Sequence, residues 1–134
     1  MNLGTLRLMV NHWLGNETII QFSPIRCGST LVYNILRELF PETHIGKRHR
    51  CRYSELLTFP VVVPYRHPFD SLASSIQRCE QEPTDDVLQQ HVLEFNANGA
   101  RDVVKIRDHQ NVLLLRYEDF VGDFEVIFRG IETF

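Results

Sequence analysis

The sequence predicts an α/β fold: a parallel sheet of about four strands, covered by helices on both faces. Three observations point there. Val61-Val62-Val63-Pro64-Tyr65 and Val112-Leu113-Leu114-Leu115-Arg116-Tyr117 are short, nearly continuous apolar runs, as expected of strands buried on both sides. Segments with helical apolar spacing alternate with these runs. Between Thr18 and Phe40 a β-rich run, a tight turn and an amphipathic helix follow one another directly.

The elements follow in order. Met1 to Leu14 carries Leu3, Leu6, Met9, Val10, Trp13 and Leu14 at helical spacing, so a helix is expected over residues 3–14, ending at Gly15-Asn16. Arg7, Asn11 and His12 interrupt it, so it lacks a signal-peptide core. Thr18-Ile19-Ile20-Gln21-Phe22 reads as the first strand. Leu31, Ile35, Leu36 and Leu39 then share one helical face until Pro41, and Ser29 is the expected N-cap. Thr43 to Lys47 suits a short second strand, and Ser54 to Leu57 one helical turn. After the Val61 strand, Pro68 fits the first turn of a helix to about Gln81, with Phe69, Leu72, Ala73 and Ile76 inward, and Pro83 breaks it. Thr84-Asp85-Asp86 signals a long helix to about Asp108, with Leu88, Val92, Phe95, Val103 and Ile106 in one stripe and Gly99 as a weak point. The Val112 strand and a last helix after Glu118-Asp119 complete the chain.

Composition narrows the classes of function. At 134 residues one domain is expected, residues 1–134, with a single core. A net charge of −3 argues against a general nucleic-acid binder. Cys27, Cys51 and Cys79 are odd in number and lack CxxC spacing, which suggests free thiols in a reducing, cytoplasmic setting and no zinc site. No apolar run approaches membrane-spanning length. Asn16-Glu17-Thr18 fits a glycosylation sequon, which has no meaning in a cytosolic chain. The basic residues are uneven: five of the six from Lys47 to Arg52 are Lys, Arg or His.

Arg26-Cys27-Gly28-Ser29-Thr30 combines a cation, a residue without Cβ and two hydroxyls at a helix N-terminus, where free N–H groups and the dipole favour an anion. It is a candidate phosphate loop. A plain strand–turn–helix accounts for much of the same pattern. The nucleotide-triphosphatase version is excluded, because Gly28 stands where that loop needs a lysine before the Ser/Thr. Arg66 closes the third strand at the sheet edge where ligands of open α/β folds bind, and Ser74 lies about two helical turns further. The pair suits one phosphate, held by a forked contact and a hydroxyl; the competing reading pairs Arg66 with Asp70 or Glu118. Arg116-Tyr117-Glu118-Asp119 ends the fourth strand at the same edge, where Tyr117 either contacts a base or packs with its hydroxyl bonded to the backbone.

Taken in order, Arg-x-Gly-Ser-Thr after one strand, Arg-x-Pro-x-Asp-x-x-x-Ser after another and Tyr-Glu-Asp after a third resemble the sulfotransferases that use 3′-phosphoadenosine-5′-phosphosulfate (PAPS). The resemblance covers Ile19 to Phe134, with the middle poorly matched. It implies a P-loop nucleotide-binding fold and transfer of a sulfuryl group from PAPS to an acceptor hydroxyl or amine, leaving PAP, without a metal. Arg26, Cys27, Gly28, Ser29 and Thr30 match the loop for the 5′-phosphosulfate, with Arg26 neutralising the leaving phosphate. Arg66 and Ser74 match the pair for the 3′-phosphate, with Tyr117 adding a minor contact. Lys47-Arg48-His49 is similar to the family's Lys-Thr-His segment, which makes His49 the expected base and Lys47 its neighbouring cation, with His44 as rival.

This chain departs from the family at Ile25, which separates Pro24 from Arg26, and at Leu31, where the soluble branch often has an adenine-stacking tryptophan. Family members also continue into further helices and a Gly/Lys-rich segment, so a short or truncated member is expected. The acceptor is a small molecule or a glycan, and the Lys47 to Arg52 run suits an anionic acceptor, the donor edge or a solvated face. Oligomeric state stays open, since an early end leaves apolar surface for a partner, a second copy of the chain among the candidates. Two other readings are a PAP-binding domain without turnover and a small P-loop kinase, the latter disfavoured by the missing lysine.

Overall fold

A computed structural model describes residues 17–56 and 58–134, so the helix expected over residues 3–14 and the end of the turn expected at Leu57 lie outside the described residues. The chain forms an α/β fold around a four-stranded, all-parallel sheet of β1 (Thr18–Phe22), β2 (His44–Arg48), β3 (Val61–Tyr65) and β4 (Val112–Arg116), in the spatial order β2-β1-β3-β4. The helices are α1 (Ser29–Leu39), α2 (Tyr53–Leu56), α3 (Pro68–Arg78), α4 (Asp85–Phe95), α5 (Arg101–Ile106), α6 (Tyr117–Phe120) and α7 (Glu125–Thr133).

Parallel pairing is continuous, with Phe22 opposite Arg48, Gln21 opposite Val62 and Tyr65 opposite Arg116. All four strands therefore end on the same edge. Because side chains alternate along a strand, the apolar runs feed two separate cores. Ile20, Phe22, Val61 and Val63 pack with Cys51, Leu56, Phe59 and Ile106 in one. Ile45, Val62 and Leu115 pack with Val32, Leu36, Phe120 and Ile127 in the other. Pro64, which has no N–H to donate, is fully buried in β3.

Where the helices differ from expectation, the reason is local. The N-cap of α1 is Gly28 in left-handed conformation, not Ser29, and no side chain caps the helix. Leu39 is 40% exposed, because Val32 and Leu36 hold the buried face. Phe69 and Ala73 point outward from α3, whose inward face is Ser71, Leu72, Ser75 and Ile76, and the helix stops at Arg78. Leu88, in the first turn of α4, is exposed, and the helix buries His91 and Phe95; the His91 ring nitrogens lie 3.0 Å from Ser75 Oγ and 2.7 Å from Gln81 Oε1. That histidine ties α4 to α3 and to the chain that follows it. Thr84 does cap α4, accepting from the Val87 N–H at 3.3 Å.

The expected continuous helix to Asp108 is broken. Asn98 and Gly99 leave helical geometry, Gly99 with φ of 105°, and α5 starts anew at Arg101. A Cβ on Gly99 would lie 2.4 Å from the His49 carbonyl oxygen and 2.8 Å from the Phe22 ring. The break lets the helix backbone close onto the chain leaving β2. Among the described residues no helix is long and apolar enough to cross a membrane.

Candidate functional site

The sheet order makes β1 and β3 neighbours whose outgoing chains diverge: β1 leads through α1 to β2 on one side, whereas β3 leads on to β4 on the other. That divergence opens a crevice beyond the carboxyl ends of β1 and β3, the usual ligand position in open α/β sheets. The candidate phosphate loop leaves β1 and Arg66 leaves β3, so both reach this crevice.

The loop is curled by two left-handed residues, Arg26 at φ of 60° and Gly28 at φ of 77°. Arg26 is a non-glycine in a sparsely populated region, a strain that the surrounding packing must hold. Gly28 has little freedom to be anything else, since a Cβ would stand 2.9 Å from Tyr117 Cδ2 and 3.1 Å from Phe120 Cζ. With no capping side chain on α1, its first-turn N–H groups remain for a ligand or water.

Arg26, Gly28, Ser29, Thr30, Arg66, Ser74 and Tyr117, seven of the eight residues the sequence assigns to cofactor binding, line one cleft of about 260 Å³. Leu31 joins them. Arg26 Nε donates to Ser74 Oγ at 3.2 Å, joining residues 48 positions apart. The Arg66 guanidinium lies over the Tyr117 ring, with Cζ 4.5 Å from the centroid. Its Nε is buried without a hydrogen-bond partner, and among the described residues Arg66 forms no ion pair. A buried guanidinium N–H lacking an acceptor is costly. An anion in the cleft would satisfy it.

Glu118, one rival partner for Arg66, is engaged elsewhere. Its Oε1 accepts from the His67 N–H at 2.9 Å and its Oε2 pairs with Arg116 Nε at 3.4 Å. Burial alone would raise this carboxyl, but the His67 N–H and the Arg116 and Arg66 charges outweigh it and hold it below its ordinary value. Glu118 therefore fastens the end of β4 to the start of α3. Tyr117 packs edge-on against Phe120, with centroids 5.5 Å apart, as well as under Arg66.

Cys27, the eighth residue, turns its side chain away from the cleft. It is fully buried, with Sγ donating to the Ile25 carbonyl at 3.4 Å and 3.5 Å from Ser71 Oγ. Burial pushes this thiol up, so only its backbone is left to meet a ligand.

Lys47 and His49 sit beside the cleft. Lys47 Nζ donates to Thr30 Oγ1 at 3.0 Å and lies 5.5 Å from the Tyr33 ring centroid. His49 Nδ1 is 2.9 Å from the Ser23 carbonyl oxygen, which can only accept, so Nδ1 carries a proton and the lone pair of the neutral ring is on Nε2. It lines the adjoining cleft with Lys47, not the Arg26–Ser74 cleft. His44 opens β2 opposite Thr18, at the other end of the strand from the phosphate loop. Among the described residues no group of three His, Cys, Asp or Glu side chains is placed to hold a metal ion.

Sequence reasoning overlooked the direct Arg26–Ser74 bond and the approach of the broken helix to the basic run. The glycine inside a helical pattern was the available signal for the last. The chain matches no family model, no curated protein and no solved structure.

Proposed function

We propose that the chain is a PAPS-dependent sulfotransferase of the P-loop type, with a three-layer α/β architecture and a cleft built for the phosphates of the donor. One observation carries this reading: Arg66, with its buried and unsatisfied Nε, shares a cleft with the bonded pair Arg26–Ser74 and the uncapped start of α1. Two arginines, the hydroxyls of Ser29, Thr30 and Ser74 and free backbone donors around about 260 Å³ fit the phosphate-bearing end of a nucleotide. Arg66 with Ser74 serves the 3′-phosphate. Arg26 with Gly28, Ser29 and Thr30 serves the 5′ end.

PAPS supplies an activated sulfuryl group, whose S–O bond to the 5′-phosphate breaks as a bond to the acceptor oxygen or nitrogen forms. His49 Nε2 takes the acceptor proton, and the Ser23 carbonyl fixes the tautomer that makes this possible. Arg26 and Lys47 offset the negative charge gathering on the departing phosphate. Positioning supplies the rest of the rate.

Calorimetric titration with PAP and with ADP, both without magnesium, tests the reading on the chain and on Arg66→Ala. PAP should bind the chain more tightly than ADP, and Arg66→Ala should lose about ten- to hundredfold in PAP affinity while ADP changes little. Equal binding of the two nucleotides, or none of either, would overturn it. A second reading, a PAP-binding domain without turnover, draws support from His49 lying outside the phosphate cleft. It predicts the same titrations with no sulfuryl transfer to any acceptor.

A further inference from the structure

Next to the phosphate cleft lies a second and larger one, about 830 Å³, between the chain leaving β2 and the broken helix at Asn96–Asp102. Its lining carries Lys47, Arg50, Arg52, Arg101 and Lys105, against Asp102 as the one carboxylate. Arg48 also borders it, but its charge is taken up by the buried Glu55. The two walls are fastened to each other: Arg50 Nε donates to the Ala97 carbonyl at 3.1 Å, and Gly99 abuts the His49 carbonyl too closely to admit a Cβ. The cleft is thus preformed by the fold. In a chain of net charge −3, five cations gathered on one concavity create a local field opposite in sign to the whole.

We infer that this cleft binds an oligosaccharide bearing sulfate or carboxylate groups, and, resting on the sulfuryl-transfer reading above, that this saccharide is the acceptor. Three features select that class. The cations are spread over both walls, which suits several anionic groups along one chain better than a single phosphate. No Phe, Tyr or Trp lines the cleft, and its one ring, His49, is bonded to the Ser23 carbonyl, so the run of stacking platforms on which single-stranded nucleic acid depends is missing. His49 and Lys47 stand on the cleft's border with the phosphate loop, Lys47 bonded to Thr30, so a sugar hydroxyl lodged here lies on the side from which the donor is approached.

The test compares calorimetric binding of a chondroitin sulfate hexasaccharide, a neutral maltohexaose and a thymidine oligomer of matched charge. It uses the intact chain and the triple variant Arg52→Gln/Arg101→Gln/Lys105→Gln, each at about 50 and about 300 mM NaCl. Arg52, Arg101 and Lys105 are exposed, so the variant should fold, and they lie outside the phosphate cleft, so PAP affinity should stay within about twofold. The sulfated hexasaccharide should bind, weaken at the higher salt, and lose about tenfold or more in the variant, while maltohexaose does not bind. Absence of hexasaccharide binding, or binding that the variant leaves intact, would overturn the inference. So would tighter binding of the thymidine oligomer, which would mark a nucleic-acid surface instead. Saccharide binding without PAP binding would overturn the acceptor role and the transfer reading together, while leaving a saccharide site.

Discussion

Arg66 is the side chain on which the proposed phosphate site turns. Its guanidinium lies over the Tyr117 ring and, among the described residues, forms no ion pair, so no carboxylate occupies its hydrogen-bonding fork. Cys27 and Cys51 show the reverse, reactive atoms made inert by their surroundings. Burial pushes both thiols up, and Cys51, beside the negative Glu55 and Asp102, reaches about 12. A raised thiol pKa means almost no thiolate at neutral or mildly basic pH. At about pH 8 an aromatic disulfide reagent should therefore titrate only the exposed Cys79 in the native chain, and all three cysteines after denaturation. Rapid release of a second equivalent from the folded chain would contradict these placements. The same contrast limits what sequence can tell: Cys27 was read as part of the loop surface, but a turn's sequence does not reveal which side chain its curl directs into the core.

At the scale of elements, the strands were legible because each carries its own signal. Val61–Tyr65 and Val112–Arg116 are apolar throughout, and a strand buried on both faces needs nothing more. The helices were less so. Amphipathic spacing identified α3 and α4, but not which residues of each stripe are buried: α4 buries His91 in a polar bond network and leaves Leu88, in its first turn, exposed. Gly99 was visible as a weak point, yet only tertiary packing explains why the helix breaks there: the position must come within touching distance of the His49 carbonyl and Phe22. Gly99→Ala combines an unfavourable positive φ with a backbone clash, so it should cost about 1–3 kcal/mol of stability by denaturant unfolding. It should also disturb the loop that carries His49. A variant as stable as the parent would contradict the close approach.

For the whole molecule, the decisive feature is that residues far apart in sequence converge on one sheet edge. Arg26, Arg66 and Tyr117 leave three different strands, and parallel order with β1 and β3 adjacent brings their carboxyl ends to a common crevice. This part of the candidate site was readable, because each piece was assigned to the end of a strand and parallel strands end together. The larger basic cleft was not, because its second wall depends on a helix break. The central claim is that the Arg26–Ser74–Arg66 cleft is a nucleotide phosphate site. It is tested most directly by titrating PAP into the nitrogen-15-labelled chain and following backbone amide and arginine side-chain resonances. The account predicts saturable shifts at Arg26 to Thr30, Arg66, Ser74 and Tyr117, with the Arg66 Nε–H among the most affected. Shifts confined to Arg50, Arg52, Arg101 and Lys105, or none at all, would contradict it.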